Sequence, residues 1–403
     1  MPAFAARLTQ HLRRPPWLDR DRITAWGTIL FGLEAAFLAF LAAWQHGAFG
    51  PPAPTSGDFV SFFAAGKLVL AGTPALAYDQ AAHYLAEQAA RGSGAPYQFF
   101  FYPPVYLLLC TGLATLPYYV AFALFEMGSL VPFLVVMRAV TREAGWGWLG
   151  PTLAFPAVLW TIGLGQNSFL TAALFGGFTL LLERRPAAAG VLLGLMCYKP
   201  HLGLLAPVAL LAGRRWIAFL AAAGTVTALV GLSALLFGIE TWRAYLTSFA
   251  GSQSVYATGR IDFAGIITVF GAARLVGLAP GPAYAMQGAA GVAMALLVWA
   301  VWRRSPSQPK RSAVLLAATL LAVPMALVYD QLLLLVAMAW ILREARCTGF
   351  QPWEKIALAG IYPLSLLTWV VGTAWHLPLG PVATTIVLLL CARRVFRPSQ
   401  ATP

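Results

Sequence analysis

The feature that most constrains this chain is a succession of apolar runs, each near the thickness of a bilayer's hydrocarbon core, divided by short turns that carry arginine. A membrane-crossing helix needs about 20 apolar residues. The runs 23–44, 148–163, 167–182, 311–328, 355–374 and 380–396 approach that length one after another. A soluble domain carries about 25% charged residues. With 10% charged and 60% hydrophobic residues in 403, the apolar excess has no water-soluble core to fill. The chain reads as an all-α polytopic membrane protein.

A net charge of +13 would suggest a nucleic-acid partner in a soluble chain. Here the bases flank apolar runs, which the positive-inside bias explains, and no compact basic domain exists, so no nucleic-acid partner is expected. The cysteines Cys110, Cys197, Cys347 and Cys391 lie singly in or beside apolar runs. They show neither metal-ligand spacing nor a disulfide framework and read as small core residues. No metal site or cofactor is expected, and no phosphate-binding P-loop is present.

Charge also threads the chain. The Arg-rich segment before Ile23–Trp44 places residues 1–22 in the cytoplasm, and no small-residue cleavage site marks a signal peptide. Residues 45–101 then form a long first extracytoplasmic loop. Arg138/Arg142, Arg184/Arg185, Arg214/Arg215, Arg303 to Arg311, Arg343/Arg346 and Arg393/Arg394/Arg397 mark cytoplasmic turns. Pairs of runs go out and back between them: 148–163 with 167–182, 187–198 with 202–213, 311–328 with 331–343, and 355–374 with 380–396, of which 187–198 and 202–213 fall short of the ~17-residue minimum. The regions 102–138 and 263–302 each hold one run too many for that parity, so 103–116 and 264–279 are expected as re-entrant or surface helices. About 12 crossings remain. The division is a cytoplasmic segment 1–22, one transmembrane domain 23–396 and a cytoplasmic tail 397–403, in the plasma (inner) membrane.

Threading sorts the acids. Asp19, Asp21, Glu143, Glu183, Glu344 and Glu354 fall on the cytoplasmic side, where they balance arginines. Glu34 and Glu126 lie inside apolar runs and read as buried hydrogen-bonded groups. Asp58, Asp79, Glu87, Glu240, Asp262 and Asp330 fall outside, with four polar islands, "GDFVSFFAAGKLVLAGTPALAYD", "GLGQNSF", "CYKPHLG" and "VYDQ". Asp58 has two readings: an N-cap for a helix starting at Phe59, or a general base at the membrane surface. Lys199 stands against the positive-inside bias beside His201, and a lysine at membrane depth suits a phosphate. Lys67 reads as a snorkelling interfacial lysine. Gln166 and Asn167 read as helix caps or ligands for sugar hydroxyls, Asp330 as a cap or a site residue, and Arg260 with Asp262 as a pair. Pro103 and Pro104 set an extended entry into the following helix.

Taken in order, "AGKLVLAGTPALAYD", "FYPPVY", "GQNSFLTAALFGGF", "ERRPAAAGVLLGLMCYKPHLGLLAPVALLAGRRW" and "VPMALVYDQLLLL" resemble the family-87 glycosyltransferases of the GT-C superfamily, over about residues 55–345. The resemblance implies a GT-C-type bundle whose first extracytoplasmic loop carries short amphipathic helices. It implies transfer of a sugar, typically mannose, from a polyprenyl-phosphate donor to a lipid or glycan acceptor on the extracytoplasmic face. Asp58 matches the family's first-loop catalytic aspartate, with Asp79 in reserve. Lys199 and His201 then become candidates for the donor phosphate. Gln166, Asn167, Tyr102, Asp79 and Asp330 become candidates for sugar or acceptor contacts. One base without a positioned nucleophile implies inversion through an oxocarbenium-like transition state. Phe59, Phe62 and Phe63 are expected on a helix lying at the membrane interface. The rivals are a transporter or flippase of a lipid-linked sugar, which needs a matching inner site and alternating access, and a scaffold without chemistry.

Overall fold

The computed structural model describes residues 9–45, 48–49, 57–92, 96–143, 145–257 and 262–396. The expected tail 397–403, the start of the N-terminal segment, parts of the first loop and Arg260 lie outside the described residues. Among the described residues the chain is all-helical, and its one extended pairing is an isolated antiparallel bridge between Ile266 and Leu327.

Among the described residues six helices are long and apolar enough to cross a membrane: Arg20–Gln45, Tyr118–Thr141, Trp216–Phe237, Pro280–Arg304, Glu354–Trp375 and Leu379–Phe396. Several turn large apolar side chains outward, as with Trp26, Leu33, Leu220, Leu235 and Leu296, and Leu235 is 86% exposed. Apolar surface on this scale marks a face that meets lipid.

Other expected spans are shorter, for a physical reason. Ser168–Leu181 and the adjoining Gln308–Ala322 and Leu332–Thr348 are buried nearly all round over long stretches. Protein surrounds them, so packing rather than bilayer thickness sets their length. The run 148–163 breaks into Leu149–Leu153 and Pro156–Leu164 at Pro156. The run 187–198 becomes Pro186–Leu195 and a 3-10 turn. The run 202–213 forms only Ala206–Ala212 as α-helix. The helix Leu107–Ala114 is 8 residues, about 12 Å at 1.5 Å per residue, too short to cross.

The helix Phe59–Leu70 departs from expectation. Rather than lying at an interface, it inserts into the protein, with Phe59 through Gly66 all buried. Phe59 meets Tyr118, Phe122 and Phe125, each at 5.4 Å between ring centroids, and Phe62 meets Tyr102 and Tyr106, each at 5.2 Å. Its apolar all-round character reflects burial in protein. Gly66 permits this insertion, because a Cβ there would fall 2.1 Å from the Cys110 carbonyl oxygen on Leu107–Ala114. Lys67 emerges exposed where the helix leaves the core, its ammonium 5.2 Å from the Phe63 ring centroid.

Most of the acids expected beside arginines are found there, Asp19 against Arg22 among them, while Glu344 meets a lysine. Glu143 pairs with Arg20 and Arg346, Glu183 with Arg215 and Arg311, Glu344 with Lys310, and Glu354 with Arg394. Glu34 and Glu126 are buried, but neither Glu126 oxygen finds a hydrogen-bond partner among the described residues. Asp262 accepts from Trp369 Nε1 at 2.6 Å and from the Ala264 N–H.

Candidate active site

Two turns meet to place Asp58. Pro156–Leu164 ends at Gly165 with φ +68, a left-handed conformation that glycine adopts without strain. A Cβ on Gly165 would stand 2.8 Å from the Phe59 Cβ, so glycine also allows the contact itself. Against this turn the Asp58 N–H donates to the Leu164 carbonyl at 2.6 Å. Asp58 occupies the N-cap position of Phe59–Leu70, yet its side chain makes no capping bond. The carboxylate turns instead to Gln166, whose Nε2 donates to Oδ2 at 2.6 Å. The cap reading of Asp58 therefore fails.

Gln166, Asn167 and Ser168 follow one another at the start of the buried helix and tie separate polar groups together. Gln166 Oε1 accepts from the Tyr102 hydroxyl at 3.3 Å and from the Asn167 N–H at 3.2 Å. Asn167 Nδ2 donates to the Tyr106 hydroxyl at 3.2 Å, and its side chain does not cap the helix. The Ser168 hydroxyl donates to Asp330 Oδ1 at 3.2 Å. Lys199 Nζ donates to the same oxygen at 2.9 Å. Gln166 thus meets the Asp58 carboxylate while Ser168, two residues on, shares Asp330 Oδ1 with the Lys199 ammonium, and Gln166, Asn167 and Ser168 are all buried.

Lys199 sits where the 3-10 turns Met196–Tyr198 and Pro200–Gly203 join. It is 4% exposed and lies 5.2 Å from the Tyr329 ring centroid. Asp330 takes donors from Lys199, Ser168 and the Leu327 N–H. A carboxylate so engaged holds the lysine more than it offers oxygens to a sugar. The segment carrying it is steadied by the Ile267 N–H, which donates to the Ala326 carbonyl at 2.9 Å. Burial, reinforced by the neighbouring Lys199 charge, pushes the His201 imidazole down to about 4. Near neutral pH His201 is therefore uncharged. Burial raises the Asp58 carboxyl above its ordinary range, while the Gln166 hydrogen bond and the Lys199 charge oppose that rise.

Asp79 stands apart from this group. It is exposed and caps the helix Gln80–Arg91, accepting from the Ala82 N–H at 2.8 Å. That helix contributes His83, which the sequence reading passed over, and Glu87, which it placed at the outer face without a role. His83 Nε2 donates to the Ser61 carbonyl at 3.1 Å, one turn beyond Asp58, and Nδ1 lies 3.5 Å from Glu87 Oε1. Glu87 Oε2 accepts from the Gln98 N–H at 3.1 Å. Burial pushes His83 down to about 4 and Glu87 up to about 8, so the pair is mostly uncharged near neutral pH. The signal was present in "HYLAE", whose His and Glu fall at i and i+4 on one helix face. Tyr106, Tyr198 and Thr171 were also passed over. Tyr106 stacks between Tyr102 and Tyr198, at 4.5 and 5.1 Å between centroids, and Tyr198 shares a 2.8 Å hydrogen bond with Thr171. No group of three His, Cys, Asp or Glu side chains gathers as a metal site among the described residues.

Lipid-facing helices around a buried carboxylate–amide–lysine network define a membrane protein with one concentrated polar centre. The model of glycosyltransferase family 87 matches residues 100–329, more than half of the chain, and the chain belongs to that family. Tyr102, Gln166 to Ser168, Lys199 and His201 fall inside the match; Asp58 precedes it and Asp330 follows at once. Neither a curated protein nor a solved structure matches.

Proposed function

We propose that this glycosyltransferase is an inverting enzyme that moves a sugar, mannose by the family resemblance, from a polyprenyl-phosphate donor to an acceptor hydroxyl of a lipid or glycan. The centre faces the extracytoplasmic side of the plasma membrane, within a GT-C-type bundle of about 12 crossings. The arginine-rich end and both termini are cytoplasmic. What supports the reading is the Gln166–Asn167–Ser168 bridge, which puts a potential base and a potential phosphate cation into one buried network.

In this reading the acceptor hydroxyl approaches the anomeric carbon from the face opposite the phosphate. Its proton passes to Asp58 Oδ1, the oxygen that no described residue hydrogen-bonds. The new C–O bond forms as the bond to the phosphate oxygen breaks, and the electron pair leaves with the lipid phosphate. Lys199 stabilises that developing charge, as a fixed cation in a water-poor site does effectively. Uncharged His201 supplies a hydrogen bond to the same phosphate. Asn167 and the tyrosines at 102, 106 and 198 contact the sugar. Asp79 is not carried forward, because its carboxylate is used as a cap.

The test is transfer by purified protein in proteoliposomes from synthetic polyprenyl-phosphate mannose, with Asp58→Asn against wild type. Loss of a general base lowers the rate by roughly 10²–10⁴-fold. An Asp58→Asn variant as fast as wild type would remove Asp58 from the reaction.

A further inference from the structure

We infer that Gln166 is a positioning residue for Asp58: its carboxamide, locked in one orientation by two donors, holds Oδ2 and leaves Oδ1 to take the acceptor proton. This rests on the reading of Asp58 as the base and reassigns Gln166 from ligand contact to support of that base.

The orientation follows from hydrogen-bond chemistry. The Asn167 backbone N–H only donates, so the Gln166 atom 3.2 Å from it has to be the carbonyl oxygen. The Tyr102 hydroxyl donates to the same oxygen at 3.3 Å. With Oε1 fixed, the NH₂ group lies on the other side, 2.6 Å from Asp58 Oδ2. A flipped amide would oppose one N–H to another and set a carbonyl against a carboxylate. Both acceptor sites of the carbonyl are then in use, and one N–H is committed to Asp58. A buried amide with 4% exposure and that complement has little left for a sugar.

Other groups share the environment of Asp58. Lys199 acts on it favourably, with its own charge divided with Asp330. Tyr102 and Glu87 would repel an ionised Asp58 only when themselves ionised, and burial favours the neutral form of both. A hydrogen bond donated to the ionised form favours that form, so Gln166 keeps the carboxylate available as a base against its burial.

Gln166→Glu is the diagnostic variant. It preserves shape and still accepts from Tyr102 and the Asn167 N–H, but replaces the donor to Asp58 with a second carboxyl. Two carboxyls at hydrogen-bond distance share a proton and do not both ionise. A base works only above its pKa, so raising that pKa moves the acid limb of the transfer rate to higher pH. The expected result is a loss about tenfold greater at the acidic than at the alkaline end of the profile, which is one pH unit of displacement. Gln166→Met, which removes the donor without adding charge, moves the limb in the same direction by less. Tyr102→Phe, which leaves the Asn167 N–H in place, moves it least. Profiles that superimpose on wild type, with only donor KM changed, would make Gln166 a ligand contact and overturn the inference. Should the variants be too slow to profile, infrared titration of the carboxyl C=O stretch, assigned by its loss in Asp58→Asn, reads the same midpoint in wild type and Gln166→Met. An unmoved midpoint overturns the inference. Full activity in Asp58→Asn sinks the base reading, whereas an inactive Asp58→Asn with an unmoved Gln166 profile sinks only the positioning role.

Discussion

The helix Ser168–Leu181 begins in the polar centre and ends about 20 Å away at 1.5 Å per residue, two residues before Glu183. At the Glu183 end the carboxylate is gripped by Arg215 and Arg311, and nearby acids follow the same rule, Glu143 with Arg20 and Arg346 and Glu354 with Arg394. At the Ser168 end Asp58 has one side-chain donor among the described residues, and hydrogen-bonding capacity is left unused: Asn167 Oδ1 and both amide atoms of the fully buried Gln331 have no partner among them. A buried polar atom without a partner costs about 1–3 kcal/mol, a cost that is offset where a ligand supplies the partner. One end of the bundle is dense in ion pairs that hold helices together. The other keeps charge and hydrogen bonds in reserve. The difference teaches where stability and where chemistry should reside.

Mutations at the ion-paired end should act on stability and leave per-molecule turnover alone. The largest such effect is expected for Glu354→Ala, which strands the buried Arg394 guanidinium; breaking a buried pair from one side costs about 3–5 kcal/mol. Thermal unfolding in detergent reads this loss, and Glu354→Leu with Arg394→Met should recover much of it. A large fall in turnover per folded molecule would break the contrast between the ends. Gly165→Ala lies at the reserve end and should do the reverse in proportion. The left-handed φ and the Phe59 contact make an added Cβ cost more than about 1 kcal/mol, and displacement of Asp58 should lower transfer by more than the unfolded fraction explains. Asp79→Ala is the smallest. Loss of an exposed cap costs roughly 0.5–1 kcal/mol, and transfer should stay within about twofold of wild type. A larger loss would return Asp79 to the site.

Much of this arrangement was legible in the residues. Charge threading found the acids that meet arginines, because positive-inside bias and pairing act on the same short turns. It also gathered Asp58, Gln166, Lys199 and Asp330 at one end from four separate islands. What it missed depends on packing between distant segments. The turn of Asp58 away from its own helix requires Leu164 and Gly165, more than 100 residues later. The insertion of Phe59–Leu70 into the protein depends on Gly66 meeting Cys110. An apolar helix bound for an interface and one bound for a core read alike in sequence, because both are apolar all round. Ser168–Leu181 and Pro186–Leu195 stay short of a full crossing, as their runs did in sequence, since helices packed against other helices need not match the bilayer.

The most direct test is a structure of the protein with polyprenyl phosphate, the leaving product, bound in lipid nanodiscs. The account predicts the phosphate within hydrogen-bond distance of Lys199 Nζ, with room for a sugar between it and Asp58 Oδ1. A phosphate bound at the arginine-rich end, or along the lipid-facing helices away from Lys199, would contradict it.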